Sequence, residues 1–147
     1  MASETIPPEL AHAVARLSRF VERRLSRAVL TLPQYRVLGF LSLGPAAAAL
    51  LADRLTVSRP TLTGVVDGLV EQGLVARSRD PADRRRVDHT LTPAGRAVLS
   101  TADEVVGAGL AALLEPLPAT RRAQARAGLE ALRDALDIER ERRLGGP

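Results

Sequence analysis

Residues 51–95, LADRLTVSRPTLTGVVDGLVEQGLVARSRDPADRRRVDHTLTPAG, decide how this chain is read. Two short helical patterns meet there at a tight turn. Two strand-like runs follow, flanking a loop with three consecutive arginines, Arg84, Arg85 and Arg86. Helix, turn, helix and basic hairpin, in that order, describe a winged helix-turn-helix. Such a module lays one helix in a DNA major groove and sets a charged hairpin against the neighbouring backbone.

Inside the stretch, Ser58 is placed to cap the second helix, its hydroxyl accepting an amide from the first turn. Pro60 falls in that turn, where a missing N–H costs little. Leu62, Val65, Val66, Leu69 and Val70 make the buried face, and Gly73 is the expected C-terminal stop. Leu74–Arg79 and Arg86–Leu91 alternate as strands around the turn Asp80-Pro81-Ala82-Asp83.

Working outward, residues 8–30 predict an amphipathic helix. Leu10, Val14, Leu17, Val21, Leu25 and Ala28 recur at helical spacing, while Arg16, Arg19, Arg23, Arg24 and Arg27 occupy much of the remainder. Thr31 to Pro33 starts a second helix with Tyr35, Leu38, Phe40 and Leu41, ended by Gly44. Pro45 is expected to open a third helix through about Leu55, beginning with the run Ala46–Ala49. Downstream, Thr92-Pro93 begins a fifth helix to about Glu115, and Pro116 and Pro118 break it. A sixth runs from about Pro118 to Arg143 with the apolar stripe Leu129, Leu132 and Leu136.

The first, fifth and sixth helices lie outside the winged unit and bury nothing alone, which predicts an intertwined helical dimer interface. The expected fold is therefore mainly α with a small β-wing, one domain over residues 1–147. Residues 33–91 would form the winged unit, and 8–30 with 93–143 the dimerisation region.

Composition narrows the function. With 46% hydrophobic and 26% charged residues, the chain is globular rather than disordered. No apolar run is expected to approach the ~18–20 residues of a membrane span. The opening MASETIPPEL lacks the basic-then-apolar layout of a secretory signal, so a cytoplasmic location is expected. The absence of cysteine excludes disulfides, thiolate metal sites and thiol redox chemistry. The two histidines, His12 and His89, are far apart and have no acid–nucleophile partners at motif spacing, and no glycine-rich phosphate loop occurs. Neither an enzyme nor a metal or other cofactor is expected. All 21 basic residues are arginine, the side chain suited to bidentate phosphate and guanine contacts. The net charge of +4 is modest, but its excess lies upstream of the C-terminal helices.

Ala52, Val57, Leu62 and Val65 occupy the positions that build a helix-turn-helix core. Gly73-Leu74-Val75, followed by DPADRRR at 80–86 and LTPAG at 91–95, resembles the wing and exit of the multiple-antibiotic-resistance regulator (MarR) family. The order of elements matches over nearly the whole chain. The Asp83-Arg84-Arg85 wing with LTPAG downstream is far more specific than a helix-turn-helix pattern alone. Two departures stand out. Thr56 occupies the turn position where related sequences often have glycine, and a β-branched residue disfavours positive φ. The Ala46–Ala49 run replaces a usually more polar helix start.

The resemblance implies a homodimer that presents two recognition helices to successive major grooves of a pseudo-palindrome, with half-sites roughly 10 bp apart. Ser58, Arg59, Pro60, Thr61, Thr63 and Gly64 would form the reading surface. Arg59 would bind phosphate, or alternatively guanine, and Thr61 and Thr63 would touch base edges. In the wing, Arg85 matches the family's minor-groove arginine, with Arg84 and Arg86 as backbone contacts. Asp83 would repel phosphate, so it is expected to brace the wing by pairing with Arg85 or Arg77. The family's effector pocket, often for small aromatic or anionic compounds, would draw on His12, Leu17, Phe20, Tyr35, Arg36 and Phe40. Each of these also fits as plain core or surface. His89 shares a strand face with Val87 and Leu91 and is expected to pack the wing. The expected function is a ligand-responsive repressor. The alternative is an effector-independent architectural DNA-binding protein with weak sequence preference.

Overall fold

The structure, a computed structural model, describes residues 5–83 and 85–144. The chain forms α1 (Pro8–Leu25), a 3-10 turn (Ser26–Ala28), α2 (Leu32–Leu41), β1 (Ala46–Ala47), α3 (Ala48–Leu55) and α4 (Arg59–Glu71). It continues with β2 (Val75–Arg79), β3 (Val87–Leu91), α5 (Pro93–Leu114) and α6 (Ala119–Leu144). The three strands make one antiparallel sheet in the order β1-β3-β2. It is thus a mainly helical winged helix-turn-helix, as the sequence predicts. Two compact units divide at Gly107 and Ala108.

The first unit closes around Leu25, Val37, Leu38, Leu51, Leu62, Val66 and Leu69, all essentially inaccessible to solvent. They come from α1 through α4. Leu25, Leu38, Leu62, Val66 and Leu69 belong to the stripes predicted from spacing, the structure adds Val37 and Leu51, and Leu10 and Val14 of the predicted α1 stripe stay exposed. Local chemistry sets the helix boundaries. Thr31 caps α2 by accepting the Gln34 amide while the Gln34 side chain accepts the Thr31 amide, a reciprocal capping box. Ser58 caps α4 by accepting the Thr61 amide at 3.2 Å.

Two sequence expectations need correction. The third helix does not begin at Pro45, because Ala46 and Ala47 are extended and pair with β3, Ala46 opposite His89 and Ala47 opposite Asp88. A helix through Ala46 would leave that edge of β3 unpaired, and the small side chains let the strand lie close. The first helix also stops at Leu25, not at residue 30. Val29 adopts a left-handed conformation with φ 58° and is 86% exposed, while Leu30 turns into the core and its amide reaches back to the Leu25 carbonyl. Burying Leu30 outweighs the local cost at Val29.

Thr56 settles the question raised by its β-branch. It ends α3 in the left-handed region, φ 53° and ψ 49°. Its amide bonds to the Asp53 carbonyl and that of Val57 to Ala52, a helix-ending motif that normally uses glycine. Strain is therefore stored at the turn of the helix-turn-helix.

The exit sequence LTPAG folds into a fastener. Thr92 Oγ1 donates to the Gly73 carbonyl at 2.7 Å and accepts the Gly95 amide at 2.9 Å, while the Thr92 amide bonds to the Leu74 carbonyl. Gly95 lies so close to this junction that a Cβ would fall 2.1 Å from the Leu74 carbonyl oxygen. Only glycine fits there.

The second unit holds the end of α5, the proline-rich turn and α6. Arg122 closes the turn, its Nη1 donating to the carbonyls of Leu117 (2.9 Å) and Glu115 (3.2 Å). Leu129, Leu132 and Leu136 on α6 are 38%, 55% and 65% exposed. The expectation that no segment approaches a membrane span also needs correction, since α5 is long and apolar enough to cross one by length and composition. Its polar middle is engaged within the protein instead: Asp103 accepts a 2.6 Å hydrogen bond from the Tyr35 hydroxyl.

Candidate nucleic-acid interface

The exposed surface of α4 starts from its cap. Ser58, Arg59, Pro60, Thr61, Thr63 and Gly64 are all exposed, while Leu62 and Val66 point inward. Ser58 Oγ and Thr61 Oγ1 lie 2.7 Å apart, so the cap fixes the Thr61 hydroxyl as well as the backbone. Thr63 Oγ1 donates back to the Arg59 carbonyl at 2.9 Å, leaving its lone pairs and methyl group outward. Base edges offering donors or thymine methyls would suit it. The amide-rich helix start also favours phosphate.

Asp67, one turn beyond Thr63 on α4, was missed in the sequence. Its carboxylate pairs with Arg77 Nη2 on β2. An acid on a helix expected to face DNA needs compensation, and that need was the signal available. The expected pairing of Arg77 with Asp83 is therefore corrected: Arg77 ties β2 to α4 instead. Its Nε also donates to His89 Nε2 at 3.4 Å. His89 is 4% exposed, and its Nδ1 lies 3.2 Å from the Ala46 carbonyl oxygen. Burial lowers its pKa from the usual histidine value; the Ala46 hydrogen bond opposes that shift and the Arg77 cation adds to it.

The wing loop is shaped mainly by its backbone. Asp80 Oδ1 accepts the Ala82 amide at 2.8 Å and Asp83 Oδ1 the Arg85 amide at 3.0 Å. The Asp80 amide donates to the Arg86 carbonyl, and the Arg86 amide to that of Asp83. Asp83 thus braces the loop through an amide, not through the expected guanidinium, because its side chain folds back over the turn. Arg86 pairs with Asp88 at 2.8 Å and with Asp80 at 4.0 Å, and the Asp88 hydrogen bond and charge raise its pKa. The Arg85 side chain is exposed. Arg84 lies outside the described residues.

The six residues expected around an effector are spread over α1 and α2. His12 and Arg36 are exposed, while Leu17, Phe20, Tyr35 and Phe40 are half-buried. Arg36 Nη2 donates to the Leu55 carbonyl at 2.6 Å and so caps the end of α3 beside the strained turn. Arg24 stacks over Phe20 with 4.9 Å between the guanidinium carbon and the ring centre. Burial, then the Asp103 hydrogen bond and charge, push the Tyr35 pKa far above its usual value. A shallow depression of about 150 Å³ lies elsewhere, lined by residues 41–45 with Thr90, Leu91 and Arg96, and contains none of the six.

With this geometry in place, the similarity to known proteins is specific. Residues 30–86 match the profile of the MarR family. The HTH-type transcriptional repressor Rv2887 of Mycobacterium tuberculosis is 34% identical over 113 residues, covering 76% of this chain and 81% of that protein. The chain belongs to the MarR family. The crystal structure of wild-type MarR from E. coli superposes with a TM-score of 0.77 at 29% identity, over 88% of this chain and 98% of that one. The structure of Rv2887 in complex with salicylic acid superposes at 0.70 with 33% identity, over 90% and 99%. Bordetella bronchiseptica BpsR, whose DNA binding is regulated by 6-hydroxynicotinic acid, superposes at 0.67 with 27% identity, over 91% and 96%. This MarR-family chain is a DNA-binding transcriptional regulator built on a winged helix.

Proposed function

We propose that this MarR-family protein is a ligand-responsive cytoplasmic repressor that binds a pseudo-palindromic operator as a homodimer, and that it is not an enzyme. The observation that carries the reading is the capped, exposed start of α4 beside a basic wing. Arg59 holds phosphate at the helix start, and Thr61 and Thr63 face base edges, with Ser58, Pro60 and Gly64 completing the contact surface. Arg85 enters the minor groove and Arg84 contacts the backbone. Arg86, already compensated by Asp88 and Asp80, acts more as a wing brace than as a phosphate ligand.

Dimerisation rests on the apolar residues that the single chain leaves uncovered, Leu10 and Val14 on α1 and Leu132 and Leu136 on α6. Residues 8–30 and 93–143 supply that surface, and two recognition helices then lie about one DNA turn apart, roughly 10 bp. The effector is a small aromatic or anionic compound, supported by the salicylic acid bound to Rv2887 and by the regulation of BpsR. Tyr35 links α2 to α5 through Asp103, so a ligand drawing on Tyr35, with His12, Leu17, Phe20, Arg36 and Phe40 as the other candidates on α1 and α2, would act on that link.

Selection of bound sequences from a random duplex pool at moderate salt tests the reading. Recovery of a pseudo-palindrome with half-sites near one turn apart is expected. Salt-sensitive binding without any preferred sequence would overturn it in favour of an architectural DNA-binding protein.

A further inference from the structure

Among the described residues His89 is the one buried side chain that is polar or charged. A buried imidazole must satisfy both ring nitrogens or forfeit their desolvation cost. Its Nδ1 faces the Ala46 carbonyl, which can only accept, so Nδ1 carries the proton. Its Nε2 is then an acceptor and receives the Arg77 Nε–H. The other end of the same guanidinium holds Asp67 on α4. One line of hydrogen bonds therefore crosses the whole sheet, from β1 through β3 and β2, and ends on the helix argued to read DNA.

We propose that His89 is a positioning residue for DNA reading: its neutral ring, held between Ala46 and Arg77, fixes the Arg77–Asp67 pair and thereby the setting of α4 against the wing. This rests on the proposal that α4 is the recognition helix. Arg77 is a long, flexible side chain, and Asp67 alone would hold only one end of its fork. The contact to His89 fixes the other, so the planar group presents a single orientation to Asp67.

The same geometry makes the line sensitive to protonation. The charges acting on the ring are Arg77 on β2, Asp88 on β3 and Asp67 on α4, while β1 offers only the Ala46 carbonyl. A proton on Nε2 would set two donors and two cations against each other across the 3.4 Å contact. Arg77 must then leave, and Asp67 loses its fixed partner. The pKa of His89 is lowered in the folded protein, so the neutral arrangement is fully present above the ordinary histidine value. It is lost as pH falls through the lowered one. An added positive charge would, by itself, strengthen binding to any DNA. The two effects have opposite signs for the operator, so the ratio of operator to scrambled-duplex affinity separates them.

The test measures that ratio at pH 7.5 and at a pH below the midpoint at which nitrogen NMR shows the His89 ring to titrate, using the selected operator and a scrambled duplex, for the wild type, His89→Gln and His89→Val. The wild-type ratio should fall at least threefold on acidification. His89→Gln, which can donate and accept without titrating, should keep the ratio at both values. His89→Val should lower it at both, with thermal melts confirming folding. A wild-type ratio that ignores pH, or a valine variant with the wild-type ratio, would overturn the proposal. Nitrogen NMR of the ring in DNA-free protein should show a protonated Nδ1 and bare Nε2 at pH 7.5, and the reverse tautomer also sinks it. Protein that binds no duplex at either pH refutes the DNA-binding reading and this role together, and the ring spectrum then reports whether the hydrogen-bond line itself stands.

Discussion

The winged unit and the C-terminal helices use similar leucines in opposite ways. In the first, Leu38, Leu51, Leu62 and Leu69 are sealed from solvent. On α6, Leu129, Leu132 and Leu136 recur at helical spacing yet remain largely exposed. Burying one such side chain is worth about 1.5–3 kcal/mol. The winged unit has gained that energy within the chain, whereas α6 has not. The first unit can therefore position its own DNA contacts. The second is shaped for a partner, which we propose is a second copy.

The comparison breaks most visibly if α6 is made polar. Leu132→Asp with Leu136→Asp should convert dimer to monomer in sedimentation. Two lost hot spots of about 2 kcal/mol each imply a roughly thousandfold loss of operator affinity. The winged unit should keep its circular dichroism, and a dimer of unchanged affinity would remove α6 from the interface. Gly95→Ala is the complementary attack on the self-sufficient unit. The clash with the Leu74 carbonyl should cost about 3 kcal/mol in denaturant unfolding, and a loss under 1 kcal/mol would show that the fastener can yield.

Arg85→Ala sharpens the contrast by removing function without stability. Operator affinity should drop by about 1–3 kcal/mol with an unchanged melt, and the salt slope should flatten by about one unit. An unchanged slope would exclude Arg85 from the phosphate-rich groove. Thr56→Gly should give the smallest effect, a gain of about 1 kcal/mol in unfolding free energy as the left-handed strain is relieved. A loss there would mean that the threonine side chain contributes more than its backbone costs.

Periodic apolar residues made most of this molecule legible in one dimension. The α4 stripe, the Ser58 cap and the two strands were read within a residue or two, because caps, turns and helical faces depend on near neighbours. Ala46 and Ala47 were not, since alanine favours helix and only the edge of β3, more than forty residues away, holds them extended. The wing loop was partly legible. Its acids were expected to brace it, but which group each would meet depended on how the loop folded back.

The sequence by itself determined the winged helix-turn-helix, the exposed start of α4, the basic wing and the uncovered leucines of α6, all of which follow from spacing and charge along the chain. Tertiary structure alone decided that Arg77 serves Asp67 rather than Asp83, that Arg36 caps α3, that Tyr35 reaches Asp103, and that His89 sits between a carbonyl and a guanidinium. Polar side chains choose partners by distance and by the cost of burial, and neither quantity exists until the backbone has closed.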